Sequence, residues 1–188
     1  AVPRFPGIGE HLTSDGAFRF TQGGRAAISA VTAAHLGARV MLGTRIGGDS
    51  NGKILKQYYD SCGIDTRFVK QDRNRQTALC EKIAESGDRR REIFFAGALD
   101  AISEEDFEDA FSAFPDALLL HEDLSSRLFS AACERAKEQS VPIFADLSDP
   151  KYEYPVHAKN ELEAAVLGEA ECYAMTDVFP DCLDDCVR

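Results

Sequence analysis

Short apolar segments alternate with amphipathic segments along this chain, and that alternation restricts its fold more than any other feature. Residues 39–46 have the apolar character of a buried strand, and residues 54–62 carry apolar side chains at helical spacing and end at Gly63. The same order returns with a strand at 117–120, a helix at 125–139 and a strand at 141–146. This βαβ order predicts an α/β fold, with a parallel sheet covered by helices on both faces.

Two stretches predict a small β-sheet beside the parallel one. Residues 77–84 and 92–95 have strand character and are joined by the turn-forming residues 85–88, which indicates a hairpin. Residues 3–22 combine prolines and glycines with a short alternating stretch near Phe20, which predicts a loop and an edge-type strand. The remaining predicted elements are a helix at 26–36, ended by Gly37, and a strand at 66–70.

The beginning of one further helix is marked by its own side chains. Ser103 and Asp106 resemble a capping box, with aspartate in place of the usual glutamate or glutamine. Phe107, Phe111 and Phe114 follow at the spacing of one helical face.

The charge of the chain excludes one class of partner. Its 32 acidic and 21 basic side chains give a net charge of −11, whereas a nucleic-acid surface needs a basic face. No apolar run has the length of a membrane span, and the first residues lack the basic flank and apolar stretch of a secretion signal. We therefore expect a cytoplasmic protein with neither nucleic acid nor a membrane as a partner.

The six cysteines could form disulfides or hold a metal. Cys62, Cys80 and Cys133 lie in apolar patterns, where a free thiol packs like a small hydrophobic side chain. The three cysteines near the end of the chain match no common zinc spacing and have no histidine among them. Free thiols in a reducing compartment are the simpler interpretation.

Two glycine turns are candidate ligand sites. Gly23-Gly24 precedes the helix at 26–36, where glycine lets a ligand approach the backbone and the first helical N–H groups can serve sugar hydroxyls or anions. Gly47-Gly48-Asp49-Ser50 follows a strand, and Asp49 or Ser50 can cap the next helix. Both turns also have a purely structural interpretation, as tight connections between a strand and a helix.

An ordered series of motifs resembles the PfkB family of ribokinase-type carbohydrate kinases. The residues GGRAAISA at 23–30, then Gly37 and the glycine–aspartate turn at 47–49, have the spacing of the first family signature. Residues 63–66 resemble the family's segment after the second helix, and residues 77–79 resemble its lid strand. Residues 95–98 resemble its small-residue turn facing the sugar, and residues 160–163 its Asn-Glu-x-Glu motif. The resemblance implies that residues 1–188 form an incomplete ribokinase-like α/β domain, with β lid segments at 3–22 and 77–95.

The resemblance also implies an activity, ATP-dependent phosphorylation of a sugar or sugar-acid hydroxyl, in a homodimer joined through the lid. Ribose, fructose and keto-deoxy sugar acids are all open as substrates. By the resemblance, the sugar would contact Gly23, Gly24, Arg25, Gly97 and Asp123. The ATP phosphates would contact Asn160 and Glu163. Mg²⁺ would be held by Glu163. The local alternatives are that Asn160 caps a helix, that Glu163 is a solvated acid in its first turn and that Arg25 is a solvated surface residue.

The chain departs from the family pattern at three points. Ile28 stands where the family has an asparagine that hydrogen-bonds the substrate, and Arg25 could compensate by holding a carboxylate or phosphate on an acidic sugar. The chain begins after the family's first strand, and the Gly-Ala-Gly-Asp-type motif that carries the anion hole and the base does not occur in it. We therefore expect no catalytic base and no turnover in these residues alone.

Two other functions compete with a sugar kinase. A non-catalytic, kinase-like binding or dimerisation module is favoured by Ile28 and by the missing motif, whereas the ordered small-residue turns favour the enzyme. A nucleotide-binding domain of another class is disfavoured, because neither a G-x-G-x-x-G nor a G-x-x-x-x-G-K-[ST] pattern occurs.

Overall fold

The structure is a computed structural model that describes residues 2, 4–14, 18–85, 89–121, 124–147 and 161–167. The chain divides into two compact units, Ala1–Ile102 and Ser103–Arg188. Within the described ranges, no helix has both the length and the apolar character needed to cross a membrane.

The first unit contains a parallel βαβ arrangement. Its elements are helix α1 (Arg25–His35), strand β1 (Thr44–Gly47), helix α2 (Ser50–Ser61) and strand β2 (Val69–Asp72). Strands β1 and β2 are parallel, with Thr44 opposite Val69 and Gly47 opposite Asp72. The buried side chains between strands and helices are Ala30, Leu42, Ile46, Tyr59, Ile64 and Val69. The predicted strands at 39–46 and 66–70 are therefore present, but each begins several residues later than expected.

The same unit carries the predicted hairpin. Strands β3 (Leu79–Ala84) and β4 (Arg90–Phe95) pair antiparallel, and a short 3₁₀ helix, Gly97–Ala101, follows them. Nearly every side chain of both strands is exposed. The hairpin prediction is confirmed.

The edge strand expected within 3–22 does not form in the described part of that segment. Residues 4–14 and 18–22 have no strand. Val2, just before the segment, forms one bridge with Glu85, and the Phe5 ring within it contacts Arg91 of β4. The rings of Phe18 and Phe20 pack edge to face at 4.9 Å while both side chains stay exposed. An alternating sequence becomes a strand only where a neighbour satisfies its backbone groups, and here the hairpin is the only described β element of the predicted lid.

The second unit is a three-stranded parallel sheet with helices. Its elements are α3 (Glu104–Phe111), β5 (Leu118–His121), α4 (Ser126–Glu138), β6 (Ile143–Leu147) and β7 (Ala164–Leu167), with strand order β5-β6-β7. One sheet face packs against both helices, and the buried side chains come from α3 (Phe111), α4 (Phe129, Ala132, Cys133, Ala136), the strands (Leu120, Ile143, Ala145, Leu147) and the connection before β6 (Val141). Parallel strands flanked by helices confirm the predicted α/β class.

Helix α3 begins as the sequence predicts and ends earlier. The Asp106 carboxylate accepts a hydrogen bond from the Ser103 backbone N–H at 2.9 Å, which confirms the capping box. Phe107 and Phe111 pack into the core, but Phe114 lies beyond the helix end and is 80% exposed. The prediction that Phe114 shares one helical face with Phe107 and Phe111 is wrong, because the helix ends at Phe111.

Strand β7 was not expected. The alternative in which Asn160 caps a helix and Glu163 lies in its first turn is wrong for the described residues, since Ala164–Leu167 pair parallel with β6. Alanine and leucine favour helices locally, and pairing with a distant strand overrides that preference.

The described cysteines occupy three different environments as free thiols. Cys62 is half-buried, Cys133 is buried, and Cys80 is exposed on β3 rather than packed in an apolar environment. Burial raises the pKa of the Cys133 thiol to about 11, so this thiol stays protonated at neutral pH and is a poor nucleophile.

The backbone after α3 offers a test of stored strain. Phe114 has a φ of 52°, in the left-handed region that costs a residue with a Cβ about 1 kcal/mol relative to glycine. We expect Phe114→Gly to raise the free energy of unfolding by about 1 kcal/mol relative to Phe114→Ala, which loses the same ring but keeps the strain. Urea unfolding followed by circular dichroism measures both variants, and equal stabilities would contradict the prediction.

Candidate functional site

The glycine pair lies where the sequence places it, directly before α1. Gly24 has φ 93° and ψ 127°, a conformation that favours glycine, and its carbonyl accepts the N–H of Ile28 at 2.9 Å. No side chain caps the helix and its first turn has no acidic residue. Arg25 is half-buried in that turn, and Ile28 is 58% exposed. The turn therefore combines backbone donors, one cation and an exposed apolar side chain, which suits an uncharged or anionic polar ligand.

The second glycine turn is built into the structure itself. Of the two candidate caps, Asp49 and Ser50, it is Asp49 that caps α2: its Oδ1 accepts the Gly52 N–H at 2.9 Å. The same carboxylate accepts the Thr77 hydroxyl at 2.6 Å and the Thr77 N–H at 2.9 Å, and the Gly47 N–H donates to that hydroxyl at 3.0 Å. We call this group of Gly47, Asp49, Gly52 and Thr77 the Asp49 clamp. Because the Asp49 carboxylate is occupied by these hydrogen bonds, the clamp is a structural element. This outcome agrees with the purely structural interpretation of the turn.

The electrostatics of Asp49 follow from these contacts. Partial burial acts to raise the pKa of its carboxyl, but the hydrogen bonds from Thr77 and Gly52 outweigh burial, so the pKa lies below the ordinary 3.8. The carboxylate is therefore ionised at neutral pH and accepts three hydrogen bonds as a charged group.

Gly97 lies at the base of the hairpin, next to this clamp. Its φ is 53°, and a Cβ at this position would come within 2.3 Å of the Gln76 carbonyl oxygen. The Ala98 N–H donates to the same oxygen at 2.8 Å. Close backbone packing thus accounts for glycine here, and a contact between Gly97 and a sugar stays a prediction.

In the second unit, polar side chains end two neighbouring strands. His121 is the last residue of β5, and its register partner on β6 is Asp146. The His121 Nδ1 lies 3.6 Å from the Asp146 Oδ2, with the histidine buried and the aspartate half-buried. Ligands of open parallel sheets bind at the carboxyl ends of the strands, so this edge is the natural place for a site in the unit.

Sequence reasoning assigned no function to His121 and Asp146. The available signal was a polar residue at or near the end of each of two apolar strands, LLLH and IFADL. Without knowledge that β5 and β6 are neighbours in this register, the two residues could not be placed side by side.

Glu163 lies at the amino ends of the strands of the same sheet, opposite the end that carries His121 and Asp146. Its N–H donates to the carbonyl of Ile143, the first residue of β6, at 2.8 Å, so it stands at the amino end of β7. This position gives no support to a phosphate or Mg²⁺ contact, which stays a prediction. Asn160 and Asp123 lie outside the described residues.

The described residues do not assemble a metal site. Across the described ranges, no three His, Cys, Asp or Glu side chains come together in a way that could hold an ion.

Comparison with known proteins identifies the family. The model of the pfkB family carbohydrate kinases matches residues 5–176. A ribokinase of Haemophilus influenzae is 29% identical over an alignment 180 residues long that covers 91% of this chain and 58% of that protein. This chain therefore spans less than two thirds of the length of that relative.

Solved structures agree on the fold. The ribokinase of Arabidopsis thaliana, complexed with ribose and ATP, superposes with a TM-score of 0.84 at 20% identity over 98% of this chain and 60% of that one. The ribokinase of Thermotoga maritima gives a TM-score of 0.78 at 22% identity over 97% of this chain and 58% of that one. The fold is ribokinase-like, and because the family model matches most of its length, the chain belongs to the pfkB family of carbohydrate kinases.

Proposed function

We propose that the whole protein transfers the γ-phosphoryl group of ATP to a hydroxyl of a sugar or sugar acid. The observation that carries this proposal is the family match over residues 5–176, which includes the Gly23-Gly24 turn. The solved relative that holds ribose and ATP supports the same pair of ligands. In phosphoryl transfer the protein mainly positions the reactants and stabilises charge, so exposed backbone donors and a nearby cation are useful groups.

In this proposal, the first turn of α1 contacts the sugar. The Gly23-Gly24 backbone leaves room for close approach, and Arg25 supplies a guanidinium for a carboxylate or phosphate on an acidic sugar. Ile28 offers no hydrogen bond, so the ligand would meet an apolar surface at that position. The contacts of Gly97 and Asp123 with the sugar, and of Asn160 and Glu163 with ATP and Mg²⁺, are proposed on the family resemblance alone.

The hairpin supports a further part of the proposal, self-association into a homodimer. Leu79, Phe94 and Phe95 lie at its open end and are 41%, 53% and 52% exposed. Leu79 and Phe95 are register partners on one face of the hairpin, whereas Phe94 points to the opposite face. An exposed apolar pair of this kind supports coverage of that face by another protein. A cytoplasmic location is likewise proposed from the sequence.

Binding to this chain tests the proposal without requiring turnover, which we do not expect from these residues alone. Thermal unfolding would be measured with ribose, fructose, a keto-deoxy sugar acid and a nucleoside, each with and without ATP and Mg²⁺. A ligand that binds only the folded chain raises the melting temperature. A ligand present at a concentration about a hundred times its Kd adds about 2.7 kcal/mol to the free energy of unfolding. If no sugar, sugar acid or nucleoside raises it, the sugar site is refuted.

Arg25 gives the test a matched pair of variants. We expect Arg25→Gln to weaken the binding of a sugar acid about tenfold and that of a neutral sugar much less, because one charge-assisted hydrogen bond is lost. Arg39→Gln removes the same charge from an exposed position after α1 and should leave both affinities unchanged. Equal effects of the two substitutions would reject the role of Arg25.

The non-catalytic module remains the second candidate because of one observation, the 58% exposed Ile28 beside the glycine turn. An apolar side chain there contributes little to the core and cannot hydrogen-bond a sugar. A chain that self-associates but binds no sugar in the thermal test would favour this candidate.

A further inference from the structure

Two cavities adjoin each other at the closed end of the hairpin, where β3 ends and β4 begins. Together we call them the hairpin groove. The first has a volume of about 430 Å³ and is lined by Arg4, Phe5, Glu85, Arg89, Arg90 and Arg91. The second has a volume of about 460 Å³ and is lined by Phe5, Pro6, Ile83, Arg91, Glu92 and Ile93. Phe5 and Arg91 border both, so a cationic half and a largely apolar half meet at these two side chains.

The cationic half has more guanidinium groups than carboxylates to pair with them. Arg89 pairs with the buried Glu85 at 3.0 Å, and Arg4 pairs with Glu10. Arg90 forms an ion pair with Glu92 at 3.4 Å, but the same carboxylate also forms an ion pair with Lys82 at 3.2 Å. Two cations thus share one acid in a chain whose net charge is −11.

Arg91 differs from its neighbours. Its guanidinium carbon lies 4.3 Å from the centre of the Phe5 ring, a cation–π contact. Within the described part of the chain, no carboxylate forms an ion pair with it. Stacking on a ring holds a guanidinium in place while leaving its N–H groups directed outward in the plane, where they can bind an anion in a bidentate manner.

The apolar half supplies the second recognition element. Ile83, the register partner of Arg91, lines this half with Pro6 and the half-exposed Ile93, and Glu92 is its one acidic side chain. Small-molecule sites are commonly apolar cavities of this size with a few polar groups that fix the orientation of the ligand. A ligand that matches both halves has an anionic head and an aromatic or aliphatic body.

We propose that the hairpin groove binds an organic phosphate ester with an apolar body, the phosphate on Arg91 and its neighbouring arginines and the body against Ile83 and Ile93. The groove lies entirely on the first unit and uses none of the residues proposed to contact the sugar or ATP. It is therefore a second site, separate from the proposed sugar and ATP contacts, on the segments predicted to form the lid.

Titration calorimetry of the chain with phenyl phosphate tests the proposal. We expect binding that weakens at high salt, and inorganic phosphate, which has the head alone, should bind about tenfold more weakly because the apolar contact is lost. Benzyl alcohol, which has the ring alone, should not bind measurably. Absence of heat with phenyl phosphate, or equal affinities for phenyl phosphate and inorganic phosphate, would overturn the proposal.

A matched pair of variants assigns the binding to the groove. Arg91→Gln should weaken phenyl phosphate about tenfold, the effect of one lost charge-assisted contact. Arg127→Gln removes the same charge from an exposed arginine that pairs with Glu104 in the second unit, and it should leave the affinity unchanged. If Arg91 merely pins Phe5 to the hairpin, Arg91→Gln would lower the melting temperature without changing phenyl phosphate affinity, and that result would also overturn the proposal.

Discussion

Replacing Gly52 with alanine should destabilise the first unit by at least about 3 kcal/mol, although alanine is the better helix former by about 1 kcal/mol. Gly52 lies in the first turn of α2, so local propensity alone predicts a more stable protein. A Cβ at this position would lie 2.2 Å from the carbonyl oxygen of Gly47 and 2.9 Å from the Thr77 hydroxyl. The oxygen is backbone and cannot rotate away, so the Asp49 clamp must open or the helix must shift.

The matched control is Gly43→Ala. Gly43 lies just before β1 in the same unit, a Cβ there would meet nothing within 4 Å, and its φ is not in the left-handed region. Its replacement should change the free energy of unfolding by no more than about 0.5 kcal/mol, as is usual for surface positions. Urea unfolding followed by far-ultraviolet circular dichroism measures both. A Gly52→Ala protein as stable as the Gly43→Ala protein would show that the clamp tolerates a side chain.

Local features of the fold could be predicted from the sequence. The cap of α2 by Asp49 and the capping box of α3 are contacts between residues three positions apart, so the sequence contains all the information they need. The β3–β4 hairpin depends on two alternating stretches and the turn between them, which are also adjacent.

Features that join distant segments could not be predicted. The hydrogen bonds between Asp49 and Thr77 span 28 residues, and no pattern in either segment indicates the other. Strand β7 exists because it pairs with β6, and its own residues favour a helix. In the opposite sense, the alternating residues near Phe20 resemble a strand, but residues 18–22 form none, because no described strand pairs with them.

The candidate site shows the same division. The glycine turn before α1 was found from its residues, since glycine pairs before a small-residue helix indicate close backbone approach. His121 and Asp146 were not found, because their proximity depends on the register of two parallel strands. Glu163 was assigned by motif resemblance, and its position at the amino end of β7 could be recognised only once that strand was known.

Asp49→Ala should lower the free energy of unfolding at pH 7 by about 3 kcal/mol, the sum of a lost helix cap and a buried Thr77 whose hydroxyl and N–H lose their acceptor. Ser50→Ala, at the exposed first position of α2, should cost no more than about 0.5 kcal/mol. Asp49→Asn should lie between them, since the amide oxygen can still accept from Gly52 and Thr77 while its NH₂ group cannot accept at all. Urea unfolding at pH 7 ranks the three variants.

The charge of Asp49 adds a pH dependence of known sign. Because the pKa of its carboxyl is lower in the folded chain than the ordinary 3.8, ionisation stabilises the fold above that value, and the contribution is lost as the pH falls through the folded pKa. The stability difference between the unmodified chain and Asp49→Asn should therefore shrink between about pH 5 and about pH 3. A stability difference that stays constant over this interval would mean that the hydrogen bonds of Asp49 stabilise the fold equally well without its negative charge. It would also mean that the carboxylate charge contributes nothing to holding the hairpin base on the β1–α2 turn.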